Sequence, residues 1–182
     1  VNGHGSIKSS KFFTVPDTFC IGDGTNAAGT LTRWMRDTFY EKELNEESSN
    51  GGENAYAIMA REAAQISPGC DGLMMLPSIY GERSPIQDPN ARGILAGLSG
   101  KHDRRNINRA ALESVGYSTL QHRMLFNEMQ IPPDKIITAG GGTKNLTWMQ
   151  IICDMLGMEI TIPEPYQCSP YGDAMMAAIG IG

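Results

Sequence analysis

KIITAGGGTKNL, residues 135–146, determines the fold class of this chain of 182 residues. Residues 135–139 are mostly apolar or β-branched, which predicts a strand. Three glycines, 140–142, follow the strand directly, and residues 145–156 carry apolar side chains at helical spacing. This order of strand, glycine loop and helix predicts an α/β fold in which helices pack on a sheet.

The glycine loop has more than one reading. Glycines let a flat ring or a phosphate approach the main chain closely, but they also serve tight turns and close helix packing. A dinucleotide (NAD) fingerprint is a rival, because Gly140 and Gly142 follow a strand and Glu159 or Glu164 lies near the spacing of a ribose-binding acid. Asn145 takes the place of that fingerprint's third glycine. The Gly-Lys-Ser/Thr ending of a Walker A loop is also missing.

Hydrophobic spacing predicts the remaining elements. Asp103 is placed to cap the longest helix. The predicted helices cover residues 25–39, 53–66, 103–129 and 173–179, and the further predicted strands cover residues 73–76, 93–98 and 159–162. The buried side of the longest helix is predicted to hold Ile107, Ala110, Ala111, Val115, Met124, Leu125 and Met129.

Two segments read as loops. The acidic, Ser- and Gly-rich stretch 41–53 predicts a solvated loop. Residues 77–92 contain three prolines and predict an ordered excursion after a buried strand at 73–76. The eleven methionines lie within apolar stretches and are expected to fill the core.

Charge and composition exclude several classes of protein. With 15 Lys and Arg against 20 Asp and Glu, the net charge of −5 argues against a basic nucleic-acid-binding face. No apolar run is long enough to span a membrane, and no signal peptide is recognisable. The four cysteines are far apart, which predicts reduced thiols in a cytoplasmic protein without a zinc site: Cys20, Cys70, Cys153 and Cys168.

Several motifs in a fixed order carry a family resemblance. They are GTLTRWMRD (29–37), LPSIYGERSP (76–85), GILAGL (93–98) with NINRAALE (106–113), AGGG (139–142) with WMQ (148–150) and DMLG (154–157), and YGDA (171–174). Together they resemble the C-terminal domain of the FGGY carbohydrate kinases, in the xylulokinase-like branch. The resemblance covers nearly the whole chain and is weakest over residues 1–24 and the acidic stretch.

The resemblance implies a partial actin/Hsp70-like (ribonuclease H-like) nucleotide-binding domain, with a mixed sheet and flanking helices. Residues 1–182 would be one C-terminal domain fragment, lacking an initiator Met and the N-terminal sugar-binding domain. The implied function is ATP- and Mg²⁺-dependent phosphorylation of a sugar or polyol hydroxyl. The catalytic Asp is expected upstream of this chain, so the chain holds no catalytic or metal-binding residue and is expected to be inactive alone. Its partners would be the sugar and its own N-terminal domain, and exposed apolar surface favours a homodimer.

Five residues correspond to nucleotide-binding positions of the family. Gly140 and Gly141 would line the adenine and ribose, and Asn145 would hydrogen-bond the base or sugar with its amide. Gly29 corresponds to a glycine near the nucleotide phosphates. Arg33 would pair with the phosphates bidentately, although a solvated helix residue is its alternative.

Other polar residues are expected to be structural. Glu82 and Arg83 should fix their proline-rich loop by hydrogen bonds. Trp34 should lie in the core, and the three histidines should lie at the surface or at helix caps: His4, His102 and His122.

Three alternative functions stay open at this point. They are a nucleotide-gated binding module of the actin/Hsp70 type, an NAD-dependent oxidoreductase, and a sugar-kinase fold that has lost phosphoryl transfer.

Overall fold

A long helix and two small sheets organise this chain, as seen in a computed structural model that describes residues 22, 24–163 and 169–181. In chain order the elements are α1 (Gly29–Phe39), α2 (Glu41–Asn50), α3 (Ala55–Ala64), β1 (Met74–Leu76), β2 (Ile94–Ala96), α4 (Arg104–Glu128), β3 (Ile136–Ile137), α5 (Leu146–Leu156), β4 (Ile160–Thr161) and α6 (Ser169–Ile181). The α/β class is therefore confirmed. Four residues named in the sequence analysis lie outside the described residues: His4, Cys20, Glu164 and Cys168.

The strands pair in both directions. Strands β1 and β2 are antiparallel, with Met74 opposite Ala96, whereas β3 and β4 are parallel, with Ile136 opposite Ile160. Within the described residues these pairs form two separate two-stranded sheets. Both pairing types expected of a mixed sheet are thus present, each in a small sheet of its own.

Strand β1 is only half buried, so the predicted burial of residues 73–76 is wrong for part of the strand. Leu73 is buried and Met75 packs on the core, but Met74 is 59% exposed and Leu76 47% exposed. Successive side chains of a strand point to opposite faces. Strand β1 therefore turns Met75 toward the core and Met74 and Leu76 toward solvent, and the three residues of β2 are exposed.

Helix α4 begins at the predicted cap. The Asp103 carboxylate accepts a hydrogen bond from the Arg105 N–H at 2.8 Å, and the Asn106 side-chain oxygen accepts one from the Asp103 N–H at 3.0 Å. This reciprocal capping box satisfies amides that have no partner within the helix.

The predicted burial of α4 holds for its first half only. Ala110, Ala111 and Val115 are buried, and burial ends at Gly116. Met124 and Met129, which were predicted to be buried, are 55% and 45% exposed. Among the described residues, the neighbouring helices bury side chains of the first half, whereas no residue of the second half is buried, although Arg123 there donates to Leu156 O at the end of α5.

The main core joins helices α1, α3, α4 and α5. Its buried members are Leu31, Met35, Tyr40, Met59, Ala63, Ala111, Leu112, Val115, Trp148, Met149 and Ile151. Trp34 packs against this core, as predicted. The expectation that methionines fill the core is right for Met35, Met59 and Met149 and wrong for the exposed ones: Met74, Met124, Met129, Met175 and Met176.

The acidic stretch is a helix, which corrects the prediction of a loop. Residues 41–50 form α2, which ends where Gly51 adopts a left-handed φ of 63°. Glu41 and Glu43 lie in its first turn, where negative charge complements the helix dipole. No residue of α2 is buried, so the predicted solvation is correct and only the backbone conformation was misjudged.

Helix α6 begins four residues before its predicted start at Asp173. Pro170 fits the first turn of a helix, where a missing N–H costs nothing. Residues 170–181 of this helix are exposed.

A buried ion pair within α4 is hydrogen-bonded to the turn before β1. The Arg109 Nε donates to Glu113 Oε1 at 2.7 Å, and the Gly69 N–H donates to both Glu113 carboxylate oxygens at 3.1 and 3.2 Å. Gly69, Cys70 and Asp71 have positive φ values of 82°, 49° and 54°. The Cys70 thiol is buried beside Glu113, and burial followed by this charge raises its pKa to about 12. The hydrogen bond from Gly69 to Glu113 thus stabilises a turn whose positive φ values are unfavourable for residues other than glycine.

A second polar cluster around Arg104 connects α2, α3 and α4 with Tyr40, the residue between α1 and α2. Arg104 Nη2 lies 2.8 Å from carboxylate oxygens of both Glu43 and Glu62, and its guanidinium stacks 4.3 Å from the centre of the Tyr40 ring. The fully buried Tyr40 donates its hydroxyl to Glu62 at 2.8 Å. The hydrogen bond from Arg104 lowers the pKa of Glu43 below its ordinary value of 4.5, whereas burial followed by Glu62 raises the pKa of Tyr40.

We predict that Glu113→Gln lowers the free energy of unfolding by about 3 kcal/mol, because it leaves the buried Arg109 guanidinium without a counter-charge. Urea unfolding followed by circular dichroism measures this change. Glu128→Gln, at an exposed position of the same helix, is the control and should be close to wild type. Equal urea midpoints for the two variants would contradict the role given to the buried pair.

We also predict an acid-sensitive contribution from Glu43. Its pKa is lowered on folding, so its stabilisation is complete above pH 4.5 and is lost as the pH falls through the lowered value. The urea midpoint should therefore fall less between about pH 5.5 and about pH 3 in Glu43→Gln than in the wild type. Glu46→Gln, whose exposed carboxylate lies 3.8 Å from Lys42, is the matched control on α2. If the urea midpoint of Glu43→Gln falls between these two pH values as much as that of the wild type, Glu43 does not make this acid-sensitive contribution.

Candidate functional site

The glycine triplet forms a tight turn between β3 and α5. Gly140 has φ 98° and ψ −179°, a conformation open essentially to glycine alone. Residues 141–144 form a 3-10 turn in which Gly140 O accepts from the Thr143 N–H at 3.2 Å and Gly142 O accepts from the Asn145 N–H at 3.0 Å. The predicted order of strand, glycine loop and helix is confirmed. The strand is shorter than predicted, and the helix begins at Leu146.

The three glycines have different surroundings. A Cβ at Gly142 would lie 3.0 Å from Cζ3 of the buried Trp148, so a side chain at this position would press on the indole ring. Gly140 needs glycine for its positive φ. Gly141 has no positive φ, and a Cβ there would meet no atom within 4 Å. Packing and backbone geometry therefore account for two glycines and leave Gly141 without a structural reason.

Asn145 caps helix α5. Its side-chain Oδ1 accepts a hydrogen bond from the Trp148 N–H at 3.0 Å. Its Nδ2 makes no hydrogen bond to any described residue, and the side chain is half-buried. The amide predicted to bind a base or sugar thus has its oxygen engaged in the cap and its NH₂ group available as a donor.

Gly29 and Arg33 lie apart from the glycine turn, on α1. Gly29 is the first residue of α1 and is exposed, with no atom within 4 Å of an added Cβ. Arg33, one turn later, is exposed and makes no ion pair or hydrogen bond to the described residues. No hydrogen bond within the described part of the chain links either residue to Gly140, Gly141 or Asn145. The structure brings the latter three together and leaves the first two as a separate group.

Glu82 has the structural role predicted for it. Its Oε2 accepts from the hydroxyls of Thr25 and Ser78, both at 3.2 Å, and its Oε1 accepts from the Arg83 N–H at 2.9 Å. The carboxylate is buried. These bonds connect the proline-rich loop to the segment that leads into α1, and thereby hold the beginning of the helix that carries Gly29 and Arg33. Neither the link to Thr25 nor this positioning effect was predicted.

Thr143 was also missed by the sequence analysis. It is buried, and its hydroxyl donates to Gly140 O at 2.7 Å. The sequence does place a hydroxyl side chain three residues after Gly140, and this pattern could have predicted the bond because Ser and Thr side chains often bond to nearby backbone groups.

Other expected features can be located as well. His102 Nδ1 accepts from the Ser99 N–H at 3.1 Å and so closes the turn before α4, whereas the helix cap itself is made by Asp103. Glu159 precedes β4, whereas the dinucleotide fingerprint places its acid at the end of a strand.

Among the described residues, no three His, Cys, Asp or Glu side chains converge on a metal position. None of the helices described here is both long and apolar enough to cross a bilayer.

Comparison with known proteins identifies relatives over nearly the whole chain. The gluconokinase of Bacillus subtilis is 32% identical over 163 residues, covering 89% of this chain and 32% of that protein. The xylulose kinase of Staphylococcus epidermidis is 31% identical over 169 residues, covering 93% of this chain and 32% of that protein. The crystal structure of the xylulose kinase from Rhodospirillum rubrum matches with a TM-score of 0.76 and 30% identity, covering 92% of this chain and 32% of that one.

The chain spans about a third of the length of these curated relatives. The sequence profile of the C-terminal domain of the FGGY carbohydrate kinases matches residues 5–181. The motifs that carried the resemblance, the strand–glycine turn–helix unit and this match agree, and the fold is the actin/Hsp70-like, ribonuclease H-like one. This chain belongs to the FGGY family of carbohydrate kinases, as a part of its C-terminal domain.

Proposed function

We propose that the protein containing this chain is an ATP-dependent carbohydrate kinase that transfers the γ-phosphate of ATP to a sugar or polyol hydroxyl. The proposal is supported by family membership and by relatives named gluconokinase and xylulose kinase. We further propose that this chain holds the adenosine end of the nucleotide at Gly140, Gly141 and Asn145, while Gly29 and Arg33 face its phosphates.

The surroundings of Gly141 carry the site proposal. Its exposed backbone has open space where any other residue would place a side chain. A flat adenine or a ribose can approach such a surface to van der Waals distance, which a Cβ would prevent. The Asn145 NH₂ group follows within the same turn and supplies a directional donor to a base nitrogen or a ribose oxygen.

The phosphates need positive charge, and Arg33 is suited to supply it. Its guanidinium has no carboxylate partner among the described residues, so its donors are available for bidentate bonds to phosphate oxygens. Phosphoryl transfer also uses Mg²⁺, which neutralises charge on the phosphates. Because no group of metal-ligating side chains converges within the described chain, we propose that its ligands are phosphate oxygens and residues elsewhere in the protein.

The chemistry requires more than this chain. Phosphoryl transfer depends on holding the acceptor hydroxyl, a base and the γ-phosphate in line while water is excluded. We propose that the catalytic Asp and most sugar contacts belong to other parts of the full-length protein, including its N-terminal domain, and that this chain alone is inactive.

Cys70 and Cys153 are free thiols, in keeping with a proposed cytoplasmic location. A homodimer also stays a prediction.

Family membership favours the kinase over the alternatives raised by the glycine loop alone. An actin/Hsp70-type binding module would share the fold and bind ATP without transferring phosphate, so a sugar-phosphorylation assay on the full-length protein separates the two. The same assay detects a protein that has kept the kinase fold and lost the reaction. An NAD-dependent oxidoreductase would bind NADH in place of ATP.

We predict that ATP binding depends on the Asn145 NH₂ group. In calorimetry with Mg²⁺ on the full-length protein, Asn145→Ser should weaken ATP binding about tenfold, because serine keeps a cap oxygen but lacks that donor. Asn145→Ala should weaken ATP binding similarly and also cost about 1 kcal/mol of stability through the lost cap. NADH serves as the control ligand. A full-length protein that ignores ATP and binds NADH would refute the proposed function.

A second prediction separates binding from packing within the glycine turn. Gly141→Ala should keep the wild-type melting temperature, since a Cβ meets no atom there, yet weaken ATP binding at least several-fold. Gly142→Ala should instead lose about 1 kcal/mol of stability by pressing on Trp148. If Gly141→Ala binds ATP as tightly as the wild type, the nucleotide does not lie on this backbone.

A further inference from the structure

Thr143 makes two hydrogen bonds to one carbonyl oxygen at the base of the glycine turn. Its hydroxyl donates to Gly140 O at 2.7 Å and its backbone N–H donates to the same oxygen at 3.2 Å. The side chain is 2% exposed, so the hydroxyl bond is shielded from competing water. The shorter bond is thus added to a turn that the backbone bond already closes.

This arrangement fixes the direction of the next peptide N–H. A trans peptide is planar, so its C=O and N–H point in opposite directions. Because Gly140 O faces Thr143, the Gly141 N–H faces away from it. This N–H makes no hydrogen bond to the described residues, and Gly141 is exposed. The Thr143 hydroxyl therefore holds a free backbone donor in one orientation.

Burial alone does not explain a hydroxyl at this position. An apolar side chain of similar size would fill the space without introducing a polar group that must be paired. Two adjacent glycines, by contrast, have unusual backbone freedom, and ordering them on ligand binding lowers affinity. A hydroxyl bond that orders them in advance removes part of that loss.

We propose that Thr143 is a positioning residue for the nucleotide. It acts through the Gly140–Gly141 peptide, which it holds in the conformation that receives the adenosine group, and it does not touch the ligand. This inference rests on the proposed function, and it adds a residue whose side chain tunes affinity for ATP.

Two substitutions in the full-length protein test this role. Thr143→Val keeps the shape and removes the hydroxyl, so the Kd for ATP should rise about fivefold, the value of one ordinary hydrogen bond. The KM for ATP should rise to a similar extent while kcat changes little. Thr143→Ser keeps the hydroxyl and should restore wild-type binding. Thr143→Ala replaces the valine variant if the latter fails to fold.

Thr147→Val is the matched control. Its hydroxyl also donates to a backbone carbonyl, Ala60 O at 3.4 Å, but it lies outside the glycine turn. This variant should keep the wild-type Kd, and melting temperatures of all variants report any general loss of stability.

The outcomes distinguish the positioning role of Thr143 from the proposed function of the protein. If the wild type binds ATP and Thr143→Val binds it equally well, the positioning role is overturned and the proposed function stands. Equal losses in Thr143→Val and Thr147→Val, or no rescue by Thr143→Ser, would also overturn it by showing a general structural effect. If the wild type binds no ATP, the proposed function fails and this inference fails with it.

Discussion

The Glu113 carboxylate is almost completely removed from solvent, and a charge in that position must be compensated by nearby donors. Arg109, one helical turn earlier, supplies a counter-charge, and the Gly69 N–H supplies a hydrogen bond from outside the helix. The first half of α4 is thereby joined to the left-handed turn that leads into β1. Helices α1, α3 and α5 also pack on α4, so the positions of all of them depend on this helix.

The packing of the helices on α4 determines the geometry of the candidate site. Helix α5 is held against α4 through Met149, Ile151 and their neighbours, and Asn145 caps its first turn. The glycine turn is thus fixed on its inner side by Trp148 and Thr143 and is bare on its outer side at Gly141. A rigid inner side and an uncovered outer side are what a small-ligand surface requires, because little order is lost on binding.

The sequence predicted most elements because their signals are local. Asp103 identifies the start of α4 by capping chemistry, and the glycines mark the turn before α5. The incorrect predictions of burial concern which other elements each helix or strand contacts. Met124 and Met74 belong to regular apolar patterns, yet neither is covered by another described element. The acidic stretch lacked an apolar stripe, and good helix formers with favourable end charges still made it a helix.

For the site, sequence motifs located Gly140, Gly141 and Asn145 but not the bonds that shape them. The cap bond to Asn145 Oδ1 and the bond from Thr143 to Gly140 O depend on side-chain directions within one turn. The link from Glu82 to Thr25 spans 57 positions in the chain, and no local pattern reveals such a contact. Family resemblance suggested the candidate residues, and the folded geometry shows the backbone conformation and contacts at Gly140 and Asn145.

The indole of Trp148 lies directly beneath Gly142, shielded from water. Only two tryptophans occur in the chain, and the other, Trp34, lies on α1 in an edge-to-face contact with Phe39. The molecule therefore carries a built-in fluorophore in contact with its glycine turn. A displacement of that turn, by ligand or by temperature, would change the surroundings of the indole ring, and the fluorescence of Trp148 would report it without an added label.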